Sequence, residues 1–214
     1  MKKLKIEAPK LPAHLEQMRF LDVLLDEDYY MTNGKIVEQT IEDLRIQKPI
    51  FSKLIFENLH FEKVVFPDIE LTDVIFKNCD LSNADLSGAI IHRTEFTQCK
   101  MIGTNFADSS LRNVVFDHNL LSLSSFGYAD LQKVAITNTK LPKADFYEAK
   151  FRNVYLDQCD LNEVNFAGTS LKGIDLRSST FERLTVTIED LQGCKISQEQ
   201  SVGFAKMLGL IVED

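Results

Sequence analysis

The 214-residue sequence has no tryptophan, and its 24 basic residues are outnumbered by 32 acidic ones, which gives a formal net charge of −8. A general DNA-binding surface needs clustered Lys and Arg, so nucleic acid is not expected as a direct ligand. No window approaches the ~20 apolar residues of a membrane helix, so no membrane association is expected. The first residues lack the apolar run of a signal peptide. A cytoplasmic location with reduced cysteines is therefore predicted.

Motifs for catalysis or cofactor binding are also missing. The sequence contains no glycine-rich phosphate loop, no nucleophile elbow and no HExxH pair. Three of the four histidines, His60, His92 and His118, fall at different places in the repeat described below, so they cannot converge on a metal. We therefore predict no catalytic, cofactor-binding or metal-binding residues and no cofactor, and we expect that the protein is not an enzyme.

What the sequence does contain is a strict period of five. Every fifth residue from Ile36 to Ile196, 33 positions in all, is large and apolar, and 13 of the 15 phenylalanines lie in this series. A helix would show a period of 3.6 and a flat strand a period of 2, so neither explains this pattern. A smaller residue usually stands two positions before each large one, and all four cysteines occupy that place. The cysteines are therefore interpreted as small buried core residues.

Segments such as 79–83 (CDLSN) and 84–88 (ADLSG) resemble the A-(D/N)-L-x-x motif of pentapeptide-repeat proteins. The resemblance implies an all-β solenoid, a right-handed quadrilateral β-helix with four pentapeptides in each 20-residue coil. Coils of this kind must stack to bury their inward side chains. We predict an irregular N-terminal cap over residues 1–35, about eight coils over 36–196, and a C-terminal helix and dimerisation tail over 197–214.

The two ends of such a rod need covers, because each exposes an open core and unpaired backbone edges. At the C-terminal end, Ser197 and Gln200 form a capping-box pattern that predicts a helix to about Leu208, stopped by Gly209. A simple end cap is one interpretation, and a homodimer joined through exposed apolar side chains is the favoured one. The predicted dimer-interface residues are Val202, Phe204, Met207, Leu208, Leu210 and Ile211.

The C-terminal segments 190–196 (DLQGCKI) and 208–212 (LGLIV), with Gln200, resemble the C-terminal signature of Qnr-type pentapeptide-repeat proteins. That resemblance implies a dimer and an acidic rod that binds the type II topoisomerases DNA gyrase and topoisomerase IV and protects them from quinolones. Some Qnr proteins carry loops that interrupt their coils. The unbroken register places this chain near the loopless members.

Outward residues can be assigned to the four faces of the predicted coil. From Phe66 to Val186, the face that includes Phe106 and Phe146 has no Lys or Arg among its 21 outward positions. We call it the acid face, and its predicted partner-binding carboxylates are Asp68, Asp85, Asp108, Asp145 and Glu148. A contact patch near mid-rod is predicted from outward apolar and aromatic side chains, although scattered apolar residues are also normal on a protein surface. Its members are Ile102, Leu120, Leu123, Tyr128 and Tyr147.

These observations favour a non-enzymatic DNA-mimic protein that binds DNA gyrase or topoisomerase IV and protects it from fluoroquinolones. The alternative is a structural or adaptor rod that binds another protein and has no role in resistance. The net charge of −8 fits the first hypothesis, and it also fits simple solubility.

Overall fold

The computed structural model describes residues 5–207 and 209–212, and it is a parallel β-solenoid with a short C-terminal helix. Its elements in chain order are β1 (Glu16–Gln17), a 3-10 helix (Phe20–Leu25), β2 (Tyr30–Val37), β3 (Thr40–Glu42), β4 (Ile50–Glu57), β5 (His60–Glu62), β6 (Glu70–Lys77), β7 (Ile90–Thr97), β8 (Ser110–Asp117), β9 (Asp130–Thr137), β10 (Lys150–Asp157) and α1 (Gln198–Met207). No helix in the described part of the chain is long and apolar enough to cross a membrane.

The predicted 20-residue coil is confirmed by the pairing register. The sheet order β1-β2-β4-β6-β7-β8-β9-β10 is parallel throughout, and from β2 onward the paired residues are 20 positions apart, as Phe56 and Phe76 are. Isolated bridges, such as Lys100↔Leu120, repeat the same offset on the other faces. Seven eight-residue strands define about seven regular turns. The eighth turn keeps only isolated bridges, because just a partial turn lies beyond it.

The repeated large residues fill the inside of the rod, as predicted. From Ile36 to Leu176 every member of the series is buried except Phe151, which is half-buried. Aromatic rings stack along the axis with centroids 4.9 Å apart for Phe106 and Phe126, and 4.7 Å apart for Phe126 and Phe146. These distances match the spacing of hydrogen-bonded strands, so one turn of the solenoid advances the core by one ring.

The corners of the coil have an unusual backbone conformation. Twenty-five residues that are not glycine have a positive φ at the position two after a large inward residue, which we call the corner position. Left-handed backbone is uncommon outside glycine, and Asn and Asp tolerate it best. Asn, Asp, Lys and Glu dominate this position here. Because this conformation recurs in every turn, corner side chains of successive turns lie above one another in columns along the rod.

The N-terminal segment closes the first turn and also runs along the rod. Phe20 is fully buried and packs against the rings of Phe51, Phe56, Phe61 and Phe66, so it plugs the open end of the core. The register begins one step before the predicted start, since Met31 is already buried and paired with Phe51.

Part of the predicted N-terminal cap, around residues 7–10, does not cover the first turn but runs along the outside of the rod. The backbone N–H of Lys10 donates to Asp73 at 2.9 Å, and that of Glu7 donates to Asn113 at 3.3 Å. Asp73 and Asn113 are 40 residues apart and therefore two turns apart along the axis. Three extended residues span about this height, so the segment runs roughly parallel to the rod.

At the other end, the predicted capping box is present. The Ser197 N–H donates to Gln200 Oε1 at 2.9 Å, and the Gln200 N–H donates to Ser197 Oγ at 3.2 Å. The Gln200 amide also donates to the carbonyls of Leu176 and Ser179, both at 2.8 Å, so it fastens α1 to the last turn. The helix ends at Met207, and Gly209, shortly after it, has a φ of 79°.

Candidate partner-binding surface

The five acid-face carboxylates lie on one side of the rod in two columns. Asp68, Asp108 and Glu148 are exposed corner residues with φ values of 57°, 59° and 50°. Asp85 and Asp145 are half-buried and stand just before an inward large residue. The structure therefore brings the predicted set together on one surface, and it divides that set into two kinds of residue.

The half-buried pair has a structural role that the sequence did not reveal. Asp145 Oδ1 accepts hydrogen bonds from the Tyr147 N–H at 3.0 Å and from the Asn165 side-chain amide at 2.8 Å. Asp85 Oδ1 accepts the equivalent bonds from Ser87 and Asn105. Each carboxylate thus closes its own turn and bonds the next one. The corner acids make fewer such bonds, and Gln47 donates to Asp68 at 2.7 Å.

The acid-face carboxylates are not neutralised within the chain. Across residues 5–207 and 209–212, none of the five lies within 4.0 Å of a Lys, Arg or His nitrogen. Carboxylates elsewhere are paired, as Glu57 is with Lys35 and Lys77 at 2.6 and 2.9 Å. The hydrogen bonds from these two lysines lower the pKa of Glu57 to about 2. The acid face therefore presents its negative charge to solvent.

The adjoining face, which runs from Phe51 to Leu191, contributes less free positive charge than its sequence suggests. Its seven outward cations are Lys53, Arg93, Arg112, Lys133, Lys150, Arg152 and Lys172. Arg93 makes two hydrogen bonds to Asp73, at 2.6 and 2.8 Å, and both side chains are largely buried. Arg152 pairs with Asp130 on the same face. Two of the seven outward cations counted on this face are thus matched by local carboxylates.

The predicted contact patch contains one closely packed aromatic pair. The rings of Tyr128 and Tyr147 meet edge to face with centroids 5.5 Å apart, and 55% and 37% of these residues remain exposed. A hydrogen bond from the phenol to the Glu148 carboxylate raises the pKa of Tyr147. Both tyrosines lie within the acid face, so the patch and the carboxylates form one surface there.

The other patch members lie on the adjoining face. Leu120 and Leu123 are exposed, and Ile102 is half-buried. Leu123 shares a rare feature with Tyr128, because both are corner residues with positive φ values, of 61° and 60°.

The predicted dimer residues divide between the end cap and the solvent. Phe204 is half-buried and packs against Phe181, with ring centroids 5.6 Å apart, so it belongs to the cap of the last turn. Val202, Leu210 and Ile211 are exposed, Ile211 at 88%. Leu208 lies outside the described residues, and Met207 is the last residue of α1. The homodimer remains a prediction.

Burial keeps two of the four thiols protonated. Burial raises the pKa of Cys159 to about 11 and that of Cys194 to about 11, which keeps both protonated at neutral pH. In the described part of the chain, no group of three or more His, Cys, Asp or Glu side chains is arranged to hold a metal ion.

Comparison with known proteins matches the repeat over most of the rod. The model "Pentapeptide repeat region" matches residues 44–126 and 69–146, and the model "Pentapeptide repeats (8 copies)" matches 129–166 and 144–183. A Bacillus subtilis (strain 168) protein named "Uncharacterized protein YisX" is 37% identical over 216 residues, covering 99% of this chain and 100% of that protein.

Two solved structures are more distant. The chain is 18% identical to QnrB1, described as a plasmid-mediated fluoroquinolone resistance protein, with a TM-score of 0.49 and coverage of 83% of this chain and 100% of that one. It is 15% identical to HetL, a pentapeptide repeat protein involved in heterocyst differentiation regulation from the cyanobacterium Nostoc sp. strain PCC 7120, with a TM-score of 0.33 and coverage of 78% and 86%.

Proposed function

The chain belongs to the pentapeptide-repeat family, and from that premise we propose that it is a non-enzymatic DNA mimic that binds type II topoisomerases. In this proposal it occupies the DNA-binding groove of DNA gyrase or topoisomerase IV and protects the enzyme from fluoroquinolones. The observation that carries the proposal is the acid face, whose carboxylates have no ion-pair partner in the described part of the chain.

The charge on this face supports a coarse form of mimicry. Asp68 and Glu148 are 80 residues apart, hence four turns or about 19 Å along the axis. Duplex DNA carries about 11 charges over that length, at one per 1.7 Å. The acid face has five carboxylates there. The rod would therefore imitate the shape of DNA and the sign of its charge, but not its charge density. Its electrostatic field would chiefly steer it into a basic groove.

The choice of partner rests on the C-terminal segment. Residues 190–196 and 208–212 resemble the Qnr-type signature, and in that group the partner is a type II topoisomerase. A basic groove that normally holds DNA also has the charge that the acid face would complement. We accordingly propose the enzyme itself as the partner.

The experiment is a gyrase supercoiling assay with ciprofloxacin, with and without this protein. We expect that the wild-type protein restores supercoiling and that the triple variant D68K/D108K/E148K does not. The variant should still fold, because Lys63, Lys133 and Lys143 already occupy corner positions with φ of 53–60°.

The matched control is E42K/E62K/E182K, which changes the net charge equally on another face. Those three glutamates are exposed and form no ion pair within 4.0 Å in the described chain. Equal loss in both variants would mean that only net charge matters. If the wild-type protein fails to rescue gyrase or topoisomerase IV at any concentration, the proposal is wrong and the adaptor function replaces it.

A further inference from the structure

We propose that the tyrosine pair on the acid face is the docking site for an arginine side chain of a protein partner. The site consists of the rings of Tyr128 and Tyr147 together with the carboxylates of Asp108, Asp145 and Glu148. This inference rests on the proposed function for the identity of the partner. It adds which side chain of that partner the site would recognise.

The aromatic pair is held in place by the turn below it. Tyr147 stands one turn above Gly127, and Tyr128 follows Gly127 in the chain, joined by a 2.8 Å hydrogen bond from its N–H to the Tyr147 carbonyl. A Cβ on Gly127 would lie 3.8 Å from the Tyr147 carbonyl oxygen and 3.8 Å from Asp145 Oδ2. The two rings then meet edge to face with centroids 5.5 Å apart. Backbone geometry therefore sets the pair before any partner arrives.

The placement of Tyr128 is not explained by backbone preference. Left-handed backbone favours small polar residues and is costly for bulky ones. Of the 25 corner residues with positive φ, only Leu123 and Tyr128 are large apolar or aromatic. Tyr128 is also 55% exposed, so burial in the core does not compensate for this conformation. A contact outside the chain would supply the missing stabilisation.

The charges around the rings select a cation. Asp108 and Glu148 occupy the same corner column as Tyr128, one turn below and one turn above it, about 4.8 Å away along the axis. Asp145 uses Oδ1 for its two hydrogen bonds, and no hydrogen bond to its Oδ2 is recorded in the described chain. The carboxylates around this aromatic face have no ion-pair partner in the described chain, so they repel anions. A purely apolar partner would have to desolvate their charge without compensation.

Arginine fits this surface better than lysine. Its planar guanidinium stacks on an aromatic ring, is weakly hydrated, and presents several donors that can bond two carboxylates at once. A lysine ammonium is a strongly hydrated point charge, which would interact with the carboxylates but gain less from the rings. The preference for arginine is thus the feature that separates this site from general attraction to negative charge.

The first test uses peptides and does not involve a topoisomerase. The isotope-labelled full-length protein is titrated with acetylated, amidated tetra-arginine and tetra-lysine, and backbone amide shifts are followed by NMR. We expect that the arginine peptide shifts Gly127, Tyr128 and Tyr147 and binds at least threefold more tightly than the lysine peptide. Equal binding of the two peptides, or shifts spread over all acidic surfaces, would overturn the proposal.

The variants keep the fold intact. Tyr128→Asn places at this corner a residue that already occupies the corner at Asn58 and Asn138, and Tyr147→Ala matches Ala107 and Ala167 in the same column. Each should weaken arginine-peptide binding about tenfold. The control is Tyr29→Asn, since Tyr29 also has a positive φ of 52° and is 37% exposed but lies at the N-terminal end. If Tyr29→Asn weakens binding as much as Tyr128→Asn, the tyrosine pair is not the site.

Binding of the same variants to purified gyrase separates this inference from the proposed function. If gyrase binds the wild-type protein and Tyr128→Asn equally, the docking site is wrong while the topoisomerase proposal stands. If gyrase does not bind the wild-type protein but the arginine peptide binds at Tyr128, the topoisomerase proposal fails and the docking site belongs to another protein partner.

Discussion

Replacing Phe126 with alanine tests whether the ring column holds the rod together. Phe126 is fully buried, stacks on Phe106 and Phe146 with centroids 4.9 and 4.7 Å away, and meets Phe116 edge to face. A buried Phe→Ala change costs about 3–5 kcal/mol, and the rigid turns above and below leave little room for the cavity to collapse. We expect a loss near the upper end, about 4–5 kcal/mol. That is a large fraction of the 5–15 kcal/mol typical of a whole domain.

Urea unfolding followed by far-UV circular dichroism measures this loss. With a slope of about 2.5 kcal/mol per molar urea, the midpoint should fall by roughly 1.5–2 M. Phe151→Ala is the internal comparison, because Phe151 occupies the same register but is half-buried and has only edge-to-face neighbours, Phe146 and Phe166. It should cost about half as much. Equal losses at Phe126 and Phe151, or a loss below 1 kcal/mol at Phe126, would refute the stacked-column account.

Two further predictions concern pH and assembly. Glu57→Gln should lower thermal stability by about 1 kcal/mol at pH 7, and the difference should vanish near pH 2. The reason is that the pKa of Glu57 is about 2 in the folded protein, below its ordinary value of 4.5. The ionised carboxylate therefore stabilises the fold fully above pH 4.5, and this contribution is lost as the pH falls through 2. Equal melting of both proteins at pH 7 would contradict this. Ile211→Lys changes an 88% exposed residue without touching the cap, so light scattering should show a dimer converted to a monomer, and a wild-type monomer at micromolar concentration would remove the dimer prediction.

The fold could be predicted from the sequence because one physical demand is repeated 33 times. Each five-residue step must place one large side chain inside, and a single misplaced polar residue would bury an unpaired group. This period fixes which side chains point inward, whereas the 20-residue coil was implied by the resemblance to pentapeptide-repeat proteins and is confirmed by the pairing of Phe56, Phe76 and Phe96. Together, the period and the implied coil assign outward residues to faces, so the acid face was predictable as a set.

The chemistry of that face was less predictable, because it depends on contacts between turns. Asp85 and Asp145 were counted with the outward acids, although each bonds two amide groups and closes a turn. The positive φ at the corners was missed, although the excess of Asn, Asp and Gly at that position was a usable signal.

The sequence contained no signal for the path of the N-terminal segment along the rod. Lys10 and Glu7 are anchored by their backbone N–H groups, which carry no side-chain information.

The corner column of the acid face also limits how acidic the rod can become. It reads Asp68, Gly88, Asp108, Tyr128, Glu148, so a carboxylate stands on every second turn. Two charges about 9.6 Å apart repel by only about 0.4 kcal/mol in water, and salt reduces this further, whereas adjacent turns would double it. From Asp68 to Glu148 the column contains no Lys or Arg to offset the repulsion, so a denser run of acids there would weaken the fold at each step. Under the proposed function, charge would therefore bring the partner close, and the tight part of recognition would come from the residues between the acids, of which Tyr128 is the largest.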